Sequence, residues 1–322
     1  MSFKSIKRLQ KYLDNLDSFS EALIQNTNNI YAGSARDSMT TEQIIYTKDY
    51  QEFTLGGDTV LSETDLKMNT ARNTIIEKQP NFNLVAYDND GNLLASKNIQ
   101  IDDTSTMNSI IEAINSDTDD NLDNDYTNDI NDYFTAEFSD GFFRLKPTEI
   151  TTLKEYKVSM VDDREVSSNF AGAIGIGRFF DGNDASDIRL NADLNSDALK
   201  INPYQAPADG DNTIANAMLQ LQYDEVSFYK RDGSEFGSKE TLSSFYKMVV
   251  TDVASDTSSS SMGLDSKEAI NTTIKVEFDN ISKVSLDKEL SNLLRFQTSY
   301  QANAKVITTI DRMIDTLLGI KQ

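Results

Sequence analysis

The stretch that most constrains this chain is residues 285–319, because it predicts one long uninterrupted helix. It contains no proline, and its first glycine is Gly319. Both residue types interrupt helices, so their absence favours continuity. Ser285 is a suitable N-cap, and Asp287 and Glu289 place negative charge at the positive end of the helix dipole. Such a helix would be roughly 50 Å long, which raises the question of what covers its apolar side.

Apolar side chains follow two overlapping heptad lines on this helix. The first line takes Leu286, Leu290, Leu293, Tyr300, Ala304, Ile307, Ile314 and Leu318. The second takes Leu293, Phe296, Tyr300, Ile307, Ile310, Ile314 and Leu317. A dimeric coiled coil needs one seam, whereas two adjacent seams form a broader face that favours contact with more than one helix. The pattern therefore predicts an assembly surface.

Composition excludes several classes of function. The 322 residues include no cysteine and no histidine, which removes disulfides, thiolate nucleophiles, histidine-based catalysis and the common zinc and iron ligand sets. The net charge of −22 makes nucleic acid an unfavourable partner, because a phosphate backbone must be neutralised by cations. We expect no catalytic, cofactor-binding or metal-binding residue, and no enzyme.

The sequence also predicts neither a membrane span nor a cleaved signal peptide. No stretch approaches 18 consecutive apolar residues. The N-terminal MSFKSIKRLQKYL has no apolar segment after its basic residues.

Periodicity predicts an α+β fold. Residues 5–30 have the 3–4 spacing of an amphipathic helix. The expected domains are a helix over 1–34, a β-rich region over 35–205 with one or two subdomains split near 145–168, and a helical region over 206–322. The first boundary is placed where the helical spacing of apolar residues ends. The second is placed at the Pro/Gly cluster NPYQAPADGDN.

Two glycine-containing motifs have a structural and a functional interpretation. In FNLVAYDNDGNLLASKNIQI, Asp90-Gly91 favours a type I′ hairpin turn. A calcium loop from Asp88 would have Ile99 where the bidentate Glu belongs.

In GAIGIGRFFDGND (172–184), Phe180 stands where a dinucleotide fingerprint needs its third glycine. We expect these glycines to allow close packing instead.

Residues 116–132, SDTDDNLDNDYTNDIND, contain seven aspartates. An EF-hand alignment from Asp117 has Leu122 in place of the glycine and Asn128 at the last position. Loose calcium binding is the minor alternative. A solvated loop is the main expectation, since carboxylates this dense are costly to bury.

The region after residue 206 is predicted to be mostly helical. DNTIANAMLQLQ predicts a short helix, and YDEVSFYKRDGSEFG a hairpin-like piece. Residues 240–256 predict a helix that ends at TSSSSMG (257–263). A further helix over 265–281 would begin with Asp265 and Glu268 in capping-box spacing.

Three segments resemble bacterial flagellar axial proteins. Residues 284–322, VSLDKELSNLLRFQTSYQANAKVITTIDRMIDTLLGIKQ, resemble the C-terminal segment of that family, in particular members at the hook–filament junction. Residues 12–32 and 169–188 are similar to ε-proteobacterial members. The resemblance implies that the family's polymerisation seam corresponds here to Leu290, Leu293, Leu294, Phe296, Tyr300, Ala304, Val306, Ile307, Ile310, Met313, Leu317 and Leu318.

The resemblance implies a structural subunit without cofactors. It implies export without a cleaved signal peptide through the flagellar type III apparatus with a chaperone, an extracellular location, and homo-oligomers that contact the hook protein and a second junction protein. The family's N-terminal amphipathic helix is missing from the start of this sequence, which instead resembles the family's internal returning helix. The chain is therefore expected to be the C-terminal half of such a protein.

Two other functions remain open from the residues alone. The acidic β-rich region is compatible with an adhesin-like binding module. A hydrolase with two carboxylates would need a pair about 5–10 Å apart, and the sequence does not single out a pair.

Overall fold

The computed structural model describes residues 3–41, 45–46, 52–53, 56–61, 81–162, 170–230, 234–283 and 285–319. The chain divides into two compact units, Met1–Val253 and Ala254–Gln322. The fold combines small antiparallel sheets with long helices, so the predicted α+β class is confirmed. The predicted domain limits at 34 and 205 stay predictions, and the part of the β-rich region over 62–80 and 163–169 lies outside the described residues.

Short strands fill the middle of the chain, and the longest helices lie toward its two ends. The helices are α1 (Phe3–Ala32), α2 (Met107–Asn115), α3 (Ile130–Tyr133), α4 (Glu149–Lys154), α5 (Phe170–Ala173), α6 (Ala192–Ser196), α7 (Thr213–Gln220), α8 (Leu242–Ser282) and α9 (Leu286–Gly319), with a short 3₁₀ turn at Ala198–Lys200. The strands are β1 (Met39–Thr40), β2 (Ile45–Tyr46), β3 (Glu52–Phe53), β4 (Asn81–Tyr87), β5 (Leu93–Gln100), β6 (Phe134–Ser139), β7 (Phe142–Pro147), β8 (Lys157–Asp162), β9 (Phe180–Asp181), β10 (Arg189–Leu190), β11 (Glu225–Val226) and β12 (Glu240–Thr241).

The first sheet has β4 at its centre, with β5 and β8 antiparallel on either side. Its inner face follows from the two-residue period of a strand. Phe82, Leu84 and Ala86 are fully buried and alternate with half-buried residues along β4. The phenyl ring of Phe82 stacks on that of Phe170 in α5, with 4.8 Å between the ring centroids. The strand pair predicted over 82–101 is therefore confirmed.

The type I′ turn lies at a different hairpin from the predicted one. In the β4–β5 loop only Gly91 has a positive φ, and its N–H bonds to the carbonyl of Asp88 in a longer loop. The type I′ prediction for Asp90-Gly91 is wrong, because that turn requires positive φ at both central residues. Asp140 and Gly141, between β6 and β7, have φ of 53° and 79°. They join strands paired at Ser139 and Phe142.

One core underlies the two larger sheets. The second sheet has the order β1-β7-β6, and its inward residues Phe134, Phe143 and Leu145 join the same buried cluster as Leu84. Helix α2 covers this cluster with an apolar face. Its N-cap, Thr106, accepts the backbone N–H of Ser109. This is a helix start of the kind that Ser or Thr favours.

Helix α1 confirms the helix predicted over 5–30, and a buried amide fixes its C-terminal part. Asn28 Oδ1 accepts the backbone N–H groups of Phe179 and Phe180 at 2.9 Å each, and its Nδ2 donates to the carbonyl of Phe180 at 2.9 Å. A Cβ on Gly172 would lie 1.8 Å from Asn29 Oδ1. The prediction that these glycines permit close packing is thus confirmed.

A smaller core joins α1 to the first turns of α8. It contains Ala22, Phe228, Phe245 and Val249. Lys11 and Asp252 form an ion pair at 2.8 Å further along the two helices. The hairpin-like piece predicted between α7 and α8 is present on both sides of residues 231–233, which lie outside the described residues.

Helix α8 continues through the segment where the sequence predicts a break. It runs unbroken from Leu242 to Ser282, so the predicted stop at TSSSSMG and the capping-box start at Asp265 and Glu268 are wrong. Serine has only a modest helix penalty. Within the helix Ser260 Oγ bonds back to the carbonyl of Asp256 at 2.7 Å, which gives the hydroxyl a partner without ending the helix.

The acidic segment 116–132 is exposed at residues 117–118 and 121–127, as expected for a solvated loop, but that expectation is wrong for Asp120 and Asp129. The side chains of Asp120 and Asp129 are buried. Lys97, at an inward position of β5, places Nζ 3.3 Å from Asp120 Oδ1 and 2.6 Å from the carbonyl of Ser116. A partner of opposite charge is what makes burial of Asp120 tolerable.

None of the described helices has the length and apolar character required to cross a bilayer.

Candidate assembly surface

Helix α9 begins and ends as its sequence predicts. Ser285 caps it: the backbone N–H of Lys288 lies 3.4 Å from Ser285 Oγ, and that of Glu289 lies 3.0 Å from the carbonyl of Ser285. Asp287 and Glu289 lie in the first turn, where a negative charge is favourable. The helix then continues for 34 residues without interruption, which corresponds to about 51 Å.

All the residues predicted for assembly are exposed, and α9 contains no buried residue. The least covered are Leu286, Phe296 and Tyr300, of which 84%, 75% and 76% is exposed. The remaining predicted residues are Leu290, Leu293, Leu294, Ala304, Val306, Ile307, Ile310, Met313, Ile314, Leu317 and Leu318. Large apolar side chains exposed on this scale are typical of interaction surfaces.

The helical repeat places most of these residues on one side. At about 100° per residue, the two heptad lines occupy a continuous arc of about 180°, from Leu290 at one edge to Leu317 at the other. Three predicted residues, Leu294, Val306 and Met313, fall outside that arc. Side chains at i and i+7 shift by about 20° per heptad. The arc therefore turns slowly around the helix from its N-terminal to its C-terminal end.

The opposite side of α9 is polar. Thr298 and Thr309 lie about 140–160° away from Leu293, and their hydroxyls bond to the carbonyls of Leu294 and Lys305. Lys305 and Arg312 lie toward the same side. The helix is therefore amphipathic, with a polar strip between the edges of its apolar arc.

A second exposed apolar stripe, on α8, is not part of the assembly surface that the sequence predicts. Ile270, Ile274, Phe278 and Ile281 lie on one face of that helix, and all are exposed. Their 3–4 spacing predicts a helical stripe, but it does not identify the stripe as part of an assembly surface. Spacing alone does not distinguish a face covered by the same chain from one covered by another molecule.

The other candidate sites from the sequence are part of the fold. The segment 170–177 forms α5 and a turn in which the Arg36 guanidinium donates to the carbonyls of Tyr31 and Gly177. In the acidic loop, Asp119 and Asp123 accept hydrogen bonds from backbone or amide groups of the same loop. The Asn128 amide lowers the pKa of Asp123. Across the described parts of the chain, no group of three or more carboxylates is arranged to hold a metal ion.

Comparison with known proteins identifies the same terminal helix. Residues 277–320 match the family described as the flagellar basal body rod FlgEFG protein C-terminal region. That match begins in the last turns of α8 and covers α9. It therefore includes every residue predicted for the assembly surface.

Longer matches are found with proteins named flagellar hook-associated protein 1. Those of Salmonella typhimurium and Salmonella typhi are each 30% identical over 122 residues, which is 38% of this chain and 20% of the relative. That of Escherichia coli is 28% identical over 155 residues, which is 47% of this chain and 27% of the relative. The matched part thus spans between a fifth and about a quarter of the curated relatives.

These matches confirm the resemblance to flagellar axial proteins, while the ε-proteobacterial type stays a prediction. The chain is similar to proteins named flagellar hook-associated protein 1, and its residues 277–320 match the FlgEFG C-terminal family.

Proposed function

We propose that this chain is part of a structural subunit of the bacterial flagellum that joins hook to filament, and that it assembles through the apolar arc of α9. The observation that carries the proposal is the exposure of that arc over the whole length of the helix. The curated relatives bear the name of a hook-associated protein. Their name favours a structural role over the adhesin-like alternative and over catalysis.

The partners follow from the same proposal. Neighbouring copies of the subunit cover the arc of α9, and the hook protein and a second junction protein flank the assembled ring. The subunit leaves the cell through the flagellar type III apparatus with an export chaperone and functions outside the cell. The support is the flagellar name of the relatives and the unpartnered apolar surface of α8 and α9.

Aspartate substitutions on α9 test the proposal directly. In the double variant Leu293→Asp/Ile307→Asp, two charges lie in the middle of the arc. The matched control, Thr298→Asp/Thr309→Asp, adds the same charge to the polar side. All four positions are exposed, so neither variant disturbs a core of the chain.

Both variants are introduced into the chromosomal gene. We expect the arc variant to lose swimming motility and hook–filament junctions, as seen by electron microscopy, while the control retains both. Purified chain should show concentration-dependent self-association by sedimentation velocity, which the arc variant abolishes. If the arc variant swims and self-associates like the control, α9 is not the assembly surface and the proposal fails.

A further inference from the structure

The carboxyl group of Asp129 is buried without full hydrogen bonding. Asp129 directly precedes α3, and no part of its surface is exposed. Its Oδ1 accepts the backbone N–H of Asp120 at 2.7 Å. Its Oδ2 is buried and makes no hydrogen bond among the described residues, although the carboxyl group faces the backbone N–H of Asp132 in a capping box. An ionised oxygen in that position loses its hydration and gains no hydrogen-bond donor in return. Burying the ionised form therefore costs much more free energy than burying the neutral acid.

The charged groups around Asp129 add to this cost. The loop contributes Asp119 and Asp120, and α3 contributes Asp132, whose Oδ2 accepts the backbone N–H of Asp129 at 3.0 Å. Lys97 of β5 brings a positive charge, but its Nζ lies against Asp120 at 3.3 Å.

Two further titratable groups lie on the packed helices. Burial raises the pKa of the Tyr133 phenol of α3, and the charge of Asp129 is among the smaller contributions. Glu112 of α2 is exposed.

The same group ties the two ends of the acidic loop together. Asp129 holds the backbone of Asp120, and Asp120 Oδ2 in turn accepts the N–H of Ile130 at 3.2 Å. Lys97 connects this pair of contacts to the sheet through Asp120. Ionisation of Asp129 therefore places a second negative charge beside Asp120, at the point where the loop is attached to the sheet.

We infer that Asp129 is a proton-sensitive latch, which in its neutral form keeps the acidic loop 116–132 closed against the sheet and on ionisation loosens it. The latch requires only a proton as its ligand. It is independent of the assembly surface on α9, so its failure would leave the proposed function untouched.

The direction of the pH dependence follows from the environment of the group. Burial raises the pKa of Asp129, and repulsion from Asp120, Asp119 and Asp132 raises it further, against the opposing effect of the Asp120 N–H bond. A carboxyl group whose pKa is higher in the closed loop than in the open one stabilises the closed loop fully below its ordinary pKa of about 3.9. That stabilisation is lost as the pH rises through the raised pKa.

Hydrogen exchange of the full chain tests the latch. Exchange rates of peptides covering 116–132 are measured between pH 4 and pH 8 and divided by the intrinsic rate at each pH. We expect protection of the loop to fall with rising pH, by up to about tenfold per pH unit within the window, as one proton requires. The variant Asp129→Asn, which keeps the acceptor for the Asp120 N–H, should show protection that does not change with pH.

Asp117→Asn is the matched control, because Asp117 is an exposed aspartate of the same loop. It should keep the pH dependence of the parent chain. An NMR titration of the Asp129 carboxyl carbon in the parent chain provides a test that does not depend on a variant folding. The inference is overturned if protection changes with pH equally in the parent and in Asp129→Asn. It is also overturned if protection in the parent does not change with pH, or if the pKa of Asp129 is at or below its ordinary value.

Discussion

The phenyl rings of Phe228 and Phe245 are stacked nearly parallel, with 3.9 Å between their centroids and 7° between their planes. The ring of Phe236 meets Phe245 edge-on at 5.3 Å. These contacts join the first turns of α8 to the hairpin before it, and Ala22 of α1 lies in the same core. Because Phe245 is one of only two buried residues of α8, this one side chain contributes much of the attachment of the helix to that core.

Phe245→Ala should therefore destabilise the core between α1 and α8. We expect the free energy of unfolding of the unit Met1–Val253 to fall by about 3–5 kcal/mol, the usual cost of removing a buried phenyl group. Urea denaturation followed by circular dichroism measures the change, because the chain has no tryptophan. Met248→Ala, on the exposed side of the same helix, should change stability by less than about 1 kcal/mol.

Removing the Asn28 amide should detach α1 from the segment that carries Phe179 and Phe180. Asn28→Ala leaves two backbone N–H groups and one carbonyl without their partner. We expect a loss of at least about 2 kcal/mol in the free energy of unfolding. Asn26→Ala is the control, since among the described residues Asn26 Nδ2 bonds within its own helix, to the carbonyl of Ala22. Equal losses in the two variants would contradict the anchoring role.

Lys97→Met should cost more stability than loss of an exposed ion pair. It leaves the buried Asp120 without a cation, for which we expect a loss of about 3–5 kcal/mol. The double variant Lys97→Met/Asp120→Asn should recover part of that loss, because the uncompensated charge is gone. Lys157→Met is the comparison, since its partner Asp37 is largely exposed and such pairs contribute about 0–1 kcal/mol. Thermal and urea unfolding at pH 7 provide the values.

Alanine in place of the serines at 258–261 should strengthen the middle of α8. These residues are exposed, so packing does not fix their conformation and helix propensity does. Four Ser→Ala changes should stabilise the helix by roughly 1–2 kcal/mol, observed as slower amide exchange of peptides covering 255–265. Four Ser→Gly changes should accelerate it. Exchange that does not differ among the three chains would show that propensity does not control this segment.

The sequence was sufficient to predict the elements whose pattern is local. Helix α9, its Ser285 cap and its exposed residues follow from spacing and capping chemistry, and so does α1. The Asp140-Gly141 turn carries the same dipeptide signal as Asp90-Gly91 and was not singled out. Loop length decided between them, because the β6–β7 hairpin has two residues between its paired strands and the β4–β5 hairpin has five.

Features that depend on residues distant in the chain could not be predicted in this way. The density of aspartates in 116–132 indicated solvation, yet Lys97, on a strand well before the loop, supplies the charge that makes burial of Asp120 tolerable. Likewise, serine and glycine in 257–263 indicated a break, but a continuous helix exposes the same polar groups to water and keeps its backbone bonds. For Asp120, a contact with a distant residue outweighed the local preference; in 257–263, which is exposed, the helix continues without such contacts.

The slow turning of the apolar arc around α9 has a geometric consequence for any structure built from it. Over the four heptads from Leu290 to Leu318, the arc shifts by about 80°. Two straight parallel rods would keep in contact only the part of the arc that its two ends share. If neighbouring copies pack along the whole arc, as we propose, its seven-residue repeat favours a left-handed supercoil. The spacing of leucines, isoleucines and aromatics on a single helix would then set the handedness of that assembly.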